Sequence, residues 1–298
     1  MPVDYTITDT QSCTLEEALE GFAQIPFEPR DEAATAQIAR WLKRLLNNRD
    51  FLADILIERL KGGGDDIASG YGPQAIVLSP LRAGSFVRAN IWPAASDLVL
   101  RDSGSKTFAY GVPHDHNFAF LTGGYCGPGY VSDHYEYDYS AACGYRGEEV
   151  PLRFTGRSTL GEGAIQFYRP HHDIHCQHPP QSLSVSLNVI HVDPSQAWFD
   201  QYRFDLERGQ IAGLLNSNAT EILLRTAVAS GSEAAQDFAA WIGKTHPSER
   251  LRLASFEARA ARLDEGARDA LWREGELCGS RMVAKAAQTK RSSPLGGG

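Results

Sequence analysis

The middle of the chain is a series of short segments rich in β-branched and aromatic residues, and this series most constrains the fold. The segments include "SFVRANIW", "YVSDHYEYD", "AIQFYR" and "SLSVSLNVIH", and Gly, Pro, Asn and Asp separate them. "DLVLR" and "KTFAYGV" belong to the same series. About nine or ten strands at a spacing of about 8 to 14 residues predict a closed barrel or a sandwich.

Helical periodicity occurs on both sides of this series. Between residues 31 and 61 the apolar residues recur at intervals of three and four and stop at a glycine triplet, which predicts two helices. After Asp193, "EILLRTAVAS", "AAQDFAAWIGK" and a longer run that begins "RLRLASFEARAARLDE" predict further helices. We therefore divide the chain into an N-terminal helical segment (1–70), a β-barrel (71–193) and a C-terminal helical segment with a flexible tail (194–298).

Composition narrows the classes of partner. The 298 residues are 42% hydrophobic and 22% charged, as in a globular protein, and the net charge of −8 offers no basic surface for nucleic acid. The first residues lack a signal-peptide pattern and no window approaches 18 apolar residues, so we expect neither secretion nor a membrane. The five cysteines never show CxxC spacing. We expect a cytoplasmic protein with a small-molecule partner and allow for a homodimer.

Histidines are concentrated in the predicted β segment. Of the nine in the chain, eight lie between residues 114 and 191. In "GVPHDHNFAF", one residue separates His114 from His116. On a strand these two side chains would share one face, with Cα atoms about 7 Å apart. Two imidazoles on one face can bind the same metal ion.

A turn motif suggests a partner for the two histidines. "GGYCGPG" predicts an antiparallel hairpin centred near Cys126, which would pair His116 with Glu136 and His114 with Asp138. Glu136 would then lie on the histidine face as a third ligand or a hydrogen-bonding partner. A shift of one residue in this register would turn Glu136 outward.

A second cluster, "AIQFYRPHHDIHCQHPP", offers another ligand. A strand, then Pro170, then His175 and a further alternating strand predict a loop that brings one more imidazole to the mouth of the barrel. We select His175. The alternatives that the spacing leaves open are His171, His172 and His178.

These motifs resemble those of cupins. The first cupin motif places HxH and a glutamate on adjacent strands, which matches His114, His116 and Glu136. The second places a histidine after a proline, which matches Pro170 and His175. The resemblance implies a mainly β fold, a cupin-type double-stranded β-helix barrel, here with α-helical additions at both ends.

Within cupins, the chain is most similar to the cysteine dioxygenase-like thiol dioxygenases. They too have leading helices, an "HDH" sequence, and an upstream strand with Arg and Asn like "FVRAN". The resemblance implies that Arg88 holds a substrate carboxylate and that the metal is Fe(II). We include Tyr168 with Arg88 and Glu136 as candidate catalytic residues. The expected activity is that of a mononuclear non-haem iron oxygenase that oxidises a small amino-acid-like or carboxylate substrate with O₂.

Two alternatives remain open. A 2-oxoglutarate-dependent oxygenase would use His134 and Glu136 with a distal His175 or His178. Such enzymes usually need a basic residue soon after the distal histidine, whereas the next one after His178 is Arg203. A non-catalytic cupin would use the same histidines to line a pocket for a small ligand.

Overall fold

The computed structural model describes residues 1–61, 74–216 and 219–292. Contacts between Cα atoms divide the chain into two units. The first, called the β unit, contains residues 1–139, 149–196 and 201–212. The second, called the helical unit, contains residues 140–148, 197–200 and those from 213 onwards. The predicted glycine stop at 62–64 and the predicted flexible tail from residue 293 lie outside the described residues.

Eleven strands are assigned within the described residues, most of them in the β unit. They are β1 (Val3–Tyr5), β2 (Ala75–Val77), β3 (Ser85–Trp92), β4 (Phe120–Cys126), β5 (Val131–Glu136), β6 (Arg153–Thr159), β7 (Ile165–Tyr168), β8 (Asp173–His178), β9 (Ser184–His191), β10 (Tyr202–Asp205) and β11 (Gln210–Leu214). Six form one antiparallel sheet in the order β1-β7-β4-β9-β3-β2. β6, β5 and β8 form a second sheet, and β10 pairs with β11.

The strand pairing corrects the hairpin expected around Cys126. β4 pairs with β7 and β9, whereas β5 pairs with β6 and β8 in the other sheet. Glu136 therefore lies opposite Asp173 and Arg153, and not opposite His116. The turn predicted at "GGYCGPG" is present, but it connects β4 of the larger sheet to β5 of the smaller one and does not join two paired strands. The described pairings join no strand of the larger sheet to the smaller one, so they show two antiparallel sheets and not a closed barrel.

Two predicted strands are wrong. "DLVLR" forms most of a short helix, and the start of "KTFAYGV" belongs to a 3₁₀ turn at Ser105–Phe108. Asp97 precedes the helix and Gly104 precedes the turn, and both residue types favour a local turn over an extended strand. β1, β8, β10 and β11 were not predicted.

Three helices of the β unit cover one face of the larger sheet: α1 (Leu15–Ala23), α2 (Glu32–Asn47) and α3 (Phe51–Lys61). The last two confirm the helices predicted between residues 31 and 61. α2 begins where the Asp31 carboxylate accepts hydrogen bonds from the first-turn backbone, and its amphipathic pattern buries Leu42, Leu45 and Leu46. These leucines share a core with Leu121 and Val189 of the sheet.

The opposite face of the larger sheet is polar, and it is buried. Because side chains alternate along a strand, Asn188 and Ser186 point away from the leucine core that Val189 and Leu187 enter. Asn188 and Ser186 are nevertheless 2% and 1% exposed. Side chains of the smaller sheet cover this face: Ser158 Oγ accepts a hydrogen bond from Gln166 Nε2 across the gap. The β unit thus has an apolar layer under its helices and a polar layer between its sheets.

The remaining helices are α4 (Leu98–Ser103) in the β unit and, in the helical unit, α5 (Ala219–Ala229), α6 (Glu233–Thr245), α7 (Glu249–Ala260), α8 (Glu265–Glu276) and α9 (Arg281–Ser292). Helices α5 to α8 confirm the helical pattern read after residue 193. Their apolar faces meet in small cores around Ile242 and Phe256. Among the described helices, none is both long and apolar enough to cross a bilayer.

Candidate metal centre

Three buried imidazoles converge inside the β unit. The Nε2 atom of His175 lies 3.0 Å from Nε2 of His116 and 3.1 Å from Nε2 of His114. All three residues are less than 9% exposed. We call this group the histidine triad. The structure therefore groups the imidazole of His175, and not those of His171, His172 or His178, with the two histidines of the "HDH" motif.

Backbone hydrogen bonds hold the triad in place. His114 and His175 exchange both of their backbone hydrogen bonds, at 3.0 and 2.9 Å, so their side chains point to the same side. His175 lies in β8 and not in the loop that the sequence predicted. His116 follows in an irregular segment before β4, and its carbonyl accepts a hydrogen bond from the backbone of His171. The "HDH" motif is thus not on a strand of either sheet.

Hydrogen bonding selects one tautomer of His114. Its Nδ1 lies 2.7 Å from the carbonyl oxygen of Val112, so Nδ1 carries the proton and donates it. A neutral imidazole has a single N–H, which leaves the Nε2 lone pair of His114 directed at the other two rings. This is the tautomer that a metal ligand requires.

The surroundings keep the three imidazoles neutral. Burial lowers the pKa of His114, with a further contribution from the positive charge of Arg88 against the opposing hydrogen bond to Val112. Burial, followed by the neighbouring histidines, lowers the pKa values of His116 and His175 well below their ordinary range. Neutral imidazoles have free lone pairs for a cation.

The triad fits a divalent transition metal. Nitrogen ligands about 2.0 to 2.1 Å from a metal, at angles near tetrahedral or octahedral, lie about 3 Å apart. His175 Nε2 is at this distance from both of the other Nε2 atoms, and the three ligand atoms all lie within 4.8 Å of one another. His116 Nδ1 is buried without a hydrogen-bond partner among the described residues, so only Nε2 of this ring has a polar contact there. Imidazole-only sites suit Zn, Cu, Fe and Ni. A metal held by three residues would keep open positions for other ligands.

An aromatic floor lies under the triad. The ring of Phe120 is 4.9 Å from that of His116 and stacks on Tyr168 at 4.6 Å. Tyr168 is 1% exposed, and its ring centroid lies 4.8 Å from that of His175. Burial raises the pKa of Tyr168 well above its usual value, so the phenol is protonated at neutral pH. The candidate catalytic Tyr168 therefore contacts the triad through its ring.

Glu136 lies outside the triad. Its carboxylate pairs with Arg153 and, at 3.0 Å, with Arg169. It also forms a separate group with His172 and Asp173, whose ligand atoms lie within 4.8 Å of one another. As β5 pairs with β8, Glu136 sits at the end of the strand, two residues beyond the pair formed by His134 and His175. The carboxylate is engaged by guanidinium groups instead of approaching the triad.

The other histidines have different surroundings. His178 pairs with Asp133 at 2.8 Å, and the His171 ring lies tilted against that of Tyr139, with centroids 4.1 Å apart. His134 is fully buried, and its Nε2 lies 2.7 Å from Ser158 Oγ. Among the described residues, neither potential metal group contains His134, so the alternative set of His134, Glu136 and a distal histidine is not brought together.

Arg88 lies on the inner face of the larger sheet, the face that also carries Asn188. It pairs with Asn188 across β3 and β9, and its charge contributes to the lowered pKa values of His114 and His116. A guanidinium group at this position gives the interior a positive charge beside three neutral imidazoles. The family resemblance identified Arg88 from "FVRAN", and the structure places it near the site.

The sequence analysis missed several polar side chains around the triad. Asp115, between the two histidines of the motif, is fully buried and accepts hydrogen bonds from Tyr137 Oη (2.5 Å) and the Tyr202 backbone (2.6 Å). Gln177 Nε2 lies 3.3 Å from the His175 ring. Asn188, on the inner face of the larger sheet, was missed as well. The sequence did carry a signal for it, because polar and apolar residues alternate regularly in "SLSVSLNVIH".

Comparisons with known proteins give little beyond this geometry. No protein-family model matches the chain, and no curated protein matches it. It is similar to a structure described as the DMSP lyases RdDddP and RnDddQII, with 12% identity, 69% of this chain and 86% of that chain covered, and a TM-score of 0.24. It is also similar to DMSP lyase DddQ from Ruegeria pomeroyi DSS-3, with 10% identity, 65% of this chain and 79% of that chain covered, and a TM-score of 0.25. TM-scores this low carry no conclusion about activity.

Proposed function

We propose that the protein is a mononuclear metalloenzyme that binds Fe(II) through His114, His116 and His175 and oxidises a small carboxylate with O₂. The observation that carries the proposal is the convergence of three buried, neutral imidazoles, with Nε2 of His175 3.0 and 3.1 Å from the other two Nε2 atoms. A metal held by three neutral ligands keeps its full positive charge and has open positions for a substrate and O₂.

Other residues near the triad would orient the substrate and exclude water. Arg88 would attract and orient the carboxylate through its planar guanidinium group. The stacked rings of Phe120 and Tyr168 would exclude water from one side of the reacting centre. The buried phenol of Tyr168, which keeps its proton at neutral pH, would leave the floor of the site uncharged beneath the imidazoles.

The first test is metal analysis of untagged protein, followed by anaerobic Fe(II) titration. We expect about one iron per chain, because the triad offers one set of three ligands. O₂ uptake is then measured with a panel of small carboxylates and amino acids. Iron binding with substrate-dependent O₂ uptake supports the proposal. An absence of metal at any added concentration would overturn the whole assignment and favour a ligand-binding role.

A second arm separates oxidation from other metal-dependent chemistry. DMSP, named with the lyases above, is incubated with metal-loaded protein in the absence of O₂. Its cleavage without O₂ would overturn the oxygenase part of the proposal while leaving the metal site in place. We expect no cleavage, with turnover confined to compounds that consume O₂.

A further inference from the structure

Two amides on the inner face of the larger sheet each carry one buried polar atom that is unsatisfied among the described residues. Asn90 is 6% exposed and Asn188 is 2% exposed. The Oδ1 atom of Asn90 and the Nδ2 atom of Asn188 are buried and, within the described part of the chain, have no hydrogen-bond partner. A buried polar atom without a hydrogen-bond partner destabilises the folded state, so native proteins keep few of them without a reason.

Strand register places these two amides side by side. Arg88 pairs with Asn188, and Asn90 pairs with Ser186, two residues along the same two strands. Asn90 and Asn188 are therefore diagonal neighbours on one face, with Cα atoms about 7 to 8 Å apart. Together they offer one acceptor and one donor to whatever lies between the sheets.

The amides are close to the reacting centre. Ile190, two residues along β9 from Asn188, pairs with Phe120, whose ring lies 4.9 Å from that of His116. One step of two residues along a strand is about 7 Å. Asn188 also lies directly opposite Arg88 in the strand register, and the charge of Arg88 acts on His114 and His116. A carboxylate held by Arg88 would therefore lie between Asn188 and the triad.

We propose that Asn90 and Asn188 form a subsite for an uncharged hydrogen-bonding group, a hydroxyl or a carboxamide, of the small carboxylate that reacts at the triad. The reaction of this carboxylate at the triad rests on the proposed function. The binding of a polar group by the two amides does not. One acceptor and one donor complement a group that both donates and accepts. Arg88 and a metal would repel an ammonium group at this position, so the second group is neutral. The substrate class is a short hydroxy acid or the half-amide of a dicarboxylic acid.

The test is calorimetric binding under anaerobic conditions with matched probes. Lactate is compared with propionate, and 3-hydroxybutyrate and succinamate are compared with butyrate, which lacks the second polar group. We expect at least one polar probe to bind about tenfold or more tightly than its counterpart, because the counterpart leaves the amides unpaired. Equal binding within each pair, or no binding by any of the five probes, would overturn the proposal.

Three variants locate the effect. Asn188→Leu and Asn90→Leu should reduce the preference to less than about threefold. Their ligand-free melting temperature should stay the same or rise, because an unsatisfied buried amide becomes apolar. Gln166→Leu is the control on the same face: its amide bonds to Asp4 and Ser158 at 2.9 Å each. This control should melt a few degrees lower and retain the preference.

Two outcomes for the variants would contradict the subsite. One is a preference that survives both leucine substitutions. The other is a large drop in melting temperature, or failure to fold, in both leucine variants, which would show that the amides are structural. Metal content is measured in the same samples. If the wild-type protein prefers the polar probes but binds no metal, the proposed function is wrong and the subsite is supported. If it binds metal but shows no preference, the subsite is wrong and the proposed function is unaffected.

Discussion

At the scale of single residues, Asp115 lies between two histidines of the triad but holds their segment in place instead of joining them as a ligand. Its side chain points away from the triad and accepts hydrogen bonds from the Tyr137 hydroxyl and the Tyr202 backbone. Burial, followed by the adjacent Asp115 carboxylate, raises the pKa of Tyr137, so the phenol keeps the proton that it donates. These bonds fix the segment that carries His114 and His116, and they supply the order that a regular strand would otherwise give.

We expect Asp115→Asn and Tyr137→Phe to weaken metal binding by about 10- to 100-fold, because outer partners orient metal ligands. Affinity is measured by competition with a chromophoric chelator, and folding by circular dichroism. Tyr135→Phe is the matched control, since Tyr135 is a half-buried residue of β5 that packs on Phe154. Unchanged affinity in both Asp115→Asn and Tyr137→Phe would show that the ligands hold their geometry unaided.

The burial of His134 predicts that the protein loses stability at low pH. Burial lowers the pKa of His134 from 6.5 to about 4, so the unfolded chain takes up this proton first as the pH falls. Its contribution to stability is therefore present above pH 6.5 and is lost between pH 6.5 and 4. From these values the loss at pH 4 is about 3 kcal/mol.

The measurement is urea unfolding at pH 7 and pH 4 with a chelator present, for wild type and His134→Gln. Glutamine keeps a polar group near Ser158 but does not titrate. The free energy of unfolding of the wild type should fall by about 3 kcal/mol more than that of the variant. An equal fall in both proteins would mean that His134 does not control acid sensitivity.

At the scale of elements, the end of β4 depends on a close backbone approach. The register between β4 and β9 shifts between Gly124 and Cys126. A Cβ atom at Gly124 would lie 2.0 Å from the carbonyl oxygen of Gly161, which is a backbone atom that cannot turn aside. At Gly161, by contrast, the nearest atom to an added Cβ would be 3.6 Å away.

We therefore expect Gly124→Ala to destabilise the protein by about 3 kcal/mol, because overpacking here moves backbone. Gly161→Ala is the matched control and should change the free energy of unfolding by less than about 1 kcal/mol. Both are measured by urea unfolding at pH 7. Similar small effects in the two variants would mean that the chain around β4 can move apart at little cost.

At the scale of the whole molecule, a metal held by the triad would link the two sheets. His175 belongs to β8 in the smaller sheet, whereas His116 rests on Phe120 of the larger one. A ligand that binds only the folded state stabilises it by RT ln(1 + [L]/Kd), which is about 2.7 kcal/mol at 100 times Kd. Metal binding should therefore raise the melting temperature of the β unit.

His116→Ala should remove this stabilisation as well as the metal and the activity, with little change in the fold of the metal-free protein. His178→Ala is the control, because His178 is half-buried and pairs with Asp133 outside the triad. Thermal unfolding is followed with and without added metal, alongside elemental analysis. Stoichiometric metal in His116→Ala would refute the site.

The local pattern of the sequence was sufficient for several elements. "SFVRANIW" is β3 and "YVSDHYEYD" contains β5, because alternation and β-branched residues act within one strand. The helical periodicity before residue 61 predicted α2 and α3 for the same reason. The histidine spacing also predicted His114 and His116, but it left His171, His172 and His178 open beside the chosen His175. In the structure His114 and His116 precede β4, and His175 lies in a strand read as a loop.

What the sequence by itself determined is the set of segments with two unlike faces and the candidate ligands among them. Only the tertiary structure decided which strands pair, and hence that Glu136 lies beside Arg169 and Asp173 instead of His116. It also decided that the polar face of β9 points into the molecule. The physical reason is that alternation arises from the geometry of one strand, whereas pairing and burial depend on residues far away in the chain.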